Sequence, residues 1–184
     1  MKRVPLNSNF KCDLVKSFVL NIASDELETQ RLCQEMFNSV LELSPYAKNK
    51  IYGVHAGYLS KAEADDTGRF HFENKTLGYE KSLKLATSFV NKISKKFEEK
   101  EVYFIIENLF PSLTRRSSLF CTFEEIKDFM NLVPKKTGLL LDLGHLNISS
   151  NLLKFDKNLF LDNFLSEFGE RLIEVHISEN NGLK

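Results

Sequence analysis

The chain has 184 residues, 42% of them hydrophobic, which is enough for one domain with its own core and too little for two comfortable ones. Lys and Arg number 25, as do Asp and Glu, so the formal charge is zero and gives no general pull toward nucleic acid or an anionic membrane. Cys12, Cys33 and Cys121 show no CxxC spacing, and no apolar run approaches the roughly 18 residues of a membrane span; a cytoplasmic protein without a disulfide framework is expected.

In chain order, "SFVLNIA" (17–23) reads as a first buried strand. Ser24 then caps a helix whose Cys33, Met36, Phe37, Val40 and Leu41 make one apolar stripe. "IYGVHAG" (51–57) is a second strand. The segment 60–76, "SKAEADDTGRFHFENKT", is polar, charged and glycine-containing and reads as a long loop, with His71 solvated in it. Leu83, Ala86, Val90, Ile93 and Phe97 repeat the helical spacing before a third strand, "VYFIIEN" (102–108). "TFEEIKDFMNLV" opens with Thr122 and carries Glu125 three residues later, a capping box at a helix start. "GLLLDLG" (138–144) is a fourth strand, a helix over about 158–168 puts Phe160, Phe164 and Phe168 on one side, and "LIEVHIS" (172–178) is a fifth strand.

Continuous apolar strands alternating with amphipathic helices predict an α/β fold with a parallel sheet covered on both faces. Residues 1–184 then form a single domain of about five strand–helix units. Four of the strands end in a residue suited to metal binding or proton transfer: His55, Glu107, Asp142 and His176. Glu107 and Asp142 are 35 residues apart, and Asp142 and His176 are 34, close to one strand–helix unit of a barrel. Strand C-termini converge on one mouth in such a barrel. An acid at the end of an apolar run calls for a partner, because a buried lone charge is costly. Capping the next helix is one use for Asp142; a cation shared with Glu107 is another. Carboxylates and imidazole without thiolate suit Mn²⁺, Zn²⁺, Co²⁺ or Fe²⁺. His145, one turn beyond Asp142, is a further ligand, a substrate contact or an ordinary loop histidine. Arg115 and Arg116 in "TRRSS" either belong to a solvated loop or meet a substrate phosphate.

The motifs "VHAG", "IIEN", "LDLGH" and "VHISEN", in this order and spacing, resemble the strand ends of the xylose isomerase-like TIM-barrel superfamily. The resemblance implies a parallel (β/α) barrel, here incomplete, since a full one has eight strands. For the sugar and sugar-phosphate isomerases and epimerases it implies one divalent metal held by Glu107, Asp142, His176 and a final glutamate that the chain does not supply. Glu107 then also exchanges a proton with the sugar, and a histidine like His145 contacts its hydroxyls; His55, which matches a zinc ligand of the superfamily's nucleases, is expected here to bind substrate. The apurinic endonucleases of the same superfamily are the alternative; their zinc cluster needs further histidines, and Val15 stands where one of them aligns. A non-catalytic sugar-binding barrel is a third reading. On the resemblance, activity belongs to a complete barrel, and an open one is expected to self-associate through its strand edges.

Overall fold

In a computed structural model that describes residues 18–65, 70–112 and 116–182, the chain forms α1 (Leu27–Leu43), β1 (Ile51–His55), β2 (Ser60–Ala64), β3 (Phe70–Thr76), α2 (Tyr79–Glu99), β4 (Tyr103–Glu107), α3 (Phe123–Leu132), β5 (Gly138–Asp142), α4 (Leu143–Leu153), α5 (Lys157–Phe168) and β6 (Leu172–His176). The strands make a four-stranded parallel sheet in the order β1-β4-β5-β6 and a separate antiparallel pair, β2-β3. Each parallel neighbour follows its partner through helical chain, the arrangement that parallel crossovers require.

The helices form where the apolar spacing puts them. Cys33, Phe37 and Leu41 are the buried stripe of α1, and Leu83, Ala86, Val90, Ile93 and Phe97 that of α2. Phe37 sits at the centre of an aromatic group, with ring centroids 5.5 Å from Tyr52, 5.2 Å from Phe89 and 5.7 Å from Phe104. Thr122 caps α3 by accepting the Glu125 N–H, and Glu125 reaches back to the Cys121 N–H at 2.8 Å. Phe160, Phe164 and Phe168 are the buried side of α5. β5 is buried throughout, as a strand with a neighbour on each side and cover on both faces should be.

Expectations in three segments need correction. The strand expected at 17–23 begins at Ser17, outside the described residues, and residues 18–23 join no ladder, so among the described residues the parallel sheet has four strands where the sequence pattern predicts five. Asn21 is the reason. Its side-chain oxygen accepts the N–H groups of Tyr58 (2.9 Å) and Ala23 (3.1 Å), and its amide nitrogen donates to the Tyr58 and Ser60 carbonyls. These bonds replace a strand ladder, and the Ser24 N–H closes a turn on the Asn21 carbonyl. Gly57 permits the close approach: its φ is +118°, and a Cβ there would lie 2.7 Å from Ala23 Cβ. Ser24 also does not cap α1; Glu26 holds that position, and the Ser24 hydroxyl accepts the Glu26 N–H.

The second correction is the loop expected at 60–76, most of which is the β2-β3 pair. Ala62 pairs with Phe72 and Ala64 with Phe70. These residues alternate with charged ones, and the apolar side packs on the small cluster of Val19, Tyr58, Leu109 and Cys121. His71 is a strand residue, with Nε2 2.8 Å from Asp65 Oδ2. The third concerns "DLGHLNISS": β5 stops at Asp142, and the chain turns directly into α4.

A candidate metal centre at the strand ends

His55, Glu107, Asp142 and His176 are each the last residue of their strand, on four adjacent strands. The register makes them neighbours: His55 pairs with Glu107 and Asp142 with His176. β4 and β5 are offset so that Glu107 pairs with Leu140. Asn108 bridges the offset, donating to the Asp142 carbonyl at 3.0 Å and accepting the Asp142 N–H at 2.6 Å. The last peptide of β5 is thereby fixed to β4 beyond the end of their ladder.

Ligand atoms of Glu107, Asp142 and His176 lie within 4.8 Å of one another. His176 Nδ1 is 3.8 Å from both Glu107 Oε1 and Asp142 Oδ2. Asp142 has two uses at once. Its Oδ1 accepts the His145 N–H at 2.8 Å and caps α4, while Oδ2 faces His176. The cap and metal readings of this residue are therefore compatible.

His145 and His55 flank Glu107. His145 Nδ1 is 2.8 Å from the Asn108 carbonyl and 3.3 Å from Glu107 Oε1, and the Phe110 ring stands 4.9 Å from its ring. Both neighbours of Nδ1 are acceptors, so Nδ1 carries the proton in a neutral ring. His55 Nδ1 is 2.8 Å from the Tyr58 hydroxyl, and Nε2 is 3.5 Å from Glu107 Oε2. Burial, with His145 adding to it against the opposing pull of Asp142, pushes the His55 pKa down to about 4, so this imidazole is neutral at pH 7. Burial and the nearby Glu107 raise the Tyr58 pKa, keeping that hydroxyl a donor to His55 Nδ1. Glu107 itself is held above the usual carboxylate range: burial dominates, Asp142 and Glu174 add to it, and His145 and His176 oppose it.

Arg116 is elsewhere: its guanidinium is paired with Glu125, which is 8% exposed at the start of α3. Arg115 lies outside the described residues, as does Val15. His71 is not part of the cluster. Sequence reading missed Asn108, Tyr58 and Phe110. The only signal for Asn108 is its place directly after the strand-end glutamate in "IIEN". Tyr58 lies three residues beyond His55, and nothing short of the turn at Gly57 brings its hydroxyl back to the ring.

A parallel sheet wrapped by helices, with its polar residues at the C-terminal strand ends, defines an α/β protein of TIM-barrel type. Residues 6–184 match the model of the xylose isomerase-like TIM barrel, and the chain belongs to that family. No curated protein matches it significantly. Among solved structures it is similar to a D-tagatose 3-epimerase-like protein at 21% identity and a TM-score of 0.64, covering 90% of this chain and 54% of that one. It is similar to the D-psicose 3-epimerase of Clostridium cellulolyticum H10 at 17% identity and 0.62, covering 87% and 49%. It is also similar to the 3-keto-D-glucoside 4-epimerase of E. coli at 14% and 0.63, covering 89% and 57%. At these identities the likeness is one of fold, and the chain spans about half the length of each. No helix among the described residues is long and apolar enough to cross a membrane.

Proposed function

We propose that the protein acts as a divalent-metal-dependent sugar or sugar-phosphate isomerase or epimerase, using Glu107, Asp142 and His176 as metal ligands. One observation carries the reading: two carboxylates and an imidazole from three adjacent strand ends bring ligand atoms within 4.8 Å of one another. Donors about 2.1 Å from one ion span up to roughly 4.2 Å, so little adjustment is needed to share one. The donor chemistry fits as well. Glu107 and Asp142 are acids in one partly buried site, and burial first, then the neighbouring carboxylates, raises the pKa of Glu107, a cost that a bound cation would offset. Mn²⁺, Zn²⁺, Co²⁺ and Fe²⁺ all suit an O₂N set.

The ion, when bound, polarises a substrate carbonyl or hydroxyl oxygen and so acidifies the neighbouring C–H. The chain's own residues supply the rest. Glu107 is the proton carrier, since its carboxyl is desolvated and flanked by donors on both sides. His55 directs Nε2–H at Glu107 Oε2, held in that tautomer by Tyr58. His145, fixed by its Nδ1–H on the Asn108 carbonyl, keeps Nε2 free to accept from a sugar hydroxyl. The similar structures, three sugar epimerases or epimerase-like proteins, support a sugar as substrate. Of the two arginines expected at a substrate phosphate, Arg116 is paired with Glu125 and Arg115 lies outside the described residues. The endonuclease reading loses support because the chain has four histidines and one of them, His71, stands apart with Asp65.

Solvent exchange tests the proposal directly. Ketohexoses and ketose phosphates are incubated with the chain and Mn²⁺ in D₂O, and deuterium at the carbons next to the carbonyl is followed by proton NMR. Exchange that Glu107→Gln abolishes is the expected result. Sugar binding without exchange would reassign the chain as a binding module, and cleavage of abasic-site DNA instead would reinstate the nuclease.

A further inference from the structure

Glu174 stands two residues before His176 on β6, so the two side chains leave the same face of the sheet. The two ring nitrogens of His176 meet different carboxylates. Nε2 is 3.1 Å from Glu174 Oε1, within hydrogen-bond range, whereas Nδ1 is 3.8 Å from its nearest atoms of Glu107 and Asp142, beyond it. A carboxylate can only accept, so the nitrogen at 3.1 Å is the one that carries the proton. A neutral imidazole has a single N–H, which leaves the Nδ1 lone pair facing Glu107 and Asp142.

We propose that Glu174 is a positioning residue that holds His176 in the Nε2–H tautomer and presents Nδ1 as the ligand atom to the Glu107–Asp142 pair. The metal role rests on the site reading above, but the tautomer is a property of the metal-free chain. Glu174 is not itself a fourth ligand, because its carboxylate lies on the Nε2 side of the ring and the other two donors lie on the Nδ1 side. The ring needs such a restraint. The His176 side chain is 45% exposed, far more than the 12% of Glu107 and 10% of Asp142, so packing alone does not fix it. Without Glu174 no hydrogen bond would select between the two tautomers, and rotation about the Cβ–Cγ bond would swing Nδ1 away from Glu107 and Asp142. A carboxylate behind a ligating imidazole also fixes the orientation of its ring.

Two measurements on the purified chain test this. Long-range ¹H–¹⁵N NMR of the metal-free protein at about pH 8 reads the tautomer, with the His176 signals identified from His176→Gln. The expected wild-type result is a proton on Nε2, lost to a tautomer mixture in Glu174→Ala and kept in Glu174→Gln, whose amide oxygen accepts the same bond. Mn²⁺ titration followed by electron paramagnetic resonance should show Glu174→Ala weakened about 10- to 100-fold and Glu174→Gln within about threefold of wild type. A wild-type proton on Nδ1, or a Glu174→Ala chain unchanged in tautomer and affinity, overturns the proposal. If the wild-type chain binds no divalent ion at all, the site reading fails, and the NMR result still decides for or against Glu174.

Discussion

Replacing Asn108 with Ala would remove the clamp that fixes the end of β5. Asn108 is 3% exposed and holds both backbone polar groups of Asp142, which is itself 7% exposed. Each intramolecular hydrogen bond contributes about 0.5–1.5 kcal/mol net, and a buried group left unpaired costs about 1–3 kcal/mol. Two bonds are lost and two buried backbone groups are orphaned, so a loss of about 2–5 kcal/mol is expected, nearer the lower end if water enters the space. In a chain of this size, 1 kcal/mol corresponds to about 2–4 °C in Tm, so a 3 kcal/mol loss lowers Tm by roughly 6–12 °C. Urea unfolding followed by circular dichroism reads the same quantity, and the m-value should stay unchanged if only the native state is affected. Asn108→Asp keeps the acceptor for the Asp142 N–H but loses the donor and places a charge beside Asp142; it should be no better than Ala. An Asn108→Ala chain within about 0.5 kcal/mol of wild type would refute the clamp, since that is the range of an inconsequential surface change.

Gly144→Ala should change stability by no more than about 1 kcal/mol, because the added Cβ would meet most closely the side-chain ends of Ser178 and Asn180, which can turn aside, and alanine has the better helix propensity. A thermal melt reads the difference, and a loss of several kcal/mol would mean that these side chains are held rigidly. Burial pushes the Cys33 thiol up to about 11 and that of Cys121 up to about 12. Deprotonation is what makes a thiol nucleophilic, so both should resist alkylation at about pH 8 in the folded chain and react in urea, as peptide mass spectrometry would show.

The sequence made the helices and the site residues readable for different reasons. α2 and α5 were legible because a stripe at i, i+3, i+4 has one physical use, burial against a sheet. His55, Glu107, Asp142 and His176 were legible because polar residues at the ends of apolar strands are costly unless they have partners, and their spacing repeated. The alternation of Ala62, Ala64, Phe70 and Phe72 was a strand signal outweighed by the charges between them, so β2 and β3 read as a loop. The opposite failure befell residues 18–23, where apolar composition suggested a strand and the single side chain of Asn21 took over the bonds a ladder would have made. α4 was hidden because its first residues, Leu143 and Gly144, continue the apolar run of β5, and only the cap by Asp142 marks the change. Asn108 and Glu174 were invisible as positioning groups, since their roles depend on the register of β4 with β5 and on which nitrogen of His176 faces which carboxylate.

The central claim is that Glu107, Asp142 and His176 share one divalent ion, and metal content per chain tests it most directly. Wild-type protein and Asp142→Asn are equilibrated with Mn²⁺, Zn²⁺, Co²⁺ or Fe²⁺ in turn, desalted and measured by elemental mass spectrometry. Asparagine still caps α4 through its side-chain oxygen, so the variant should fold and isolates the loss of the charged ligand. About one ion per wild-type chain, absent from the variant, is the result expected for a shared three-ligand site. Equal metal in both proteins, or none in either, would contradict it.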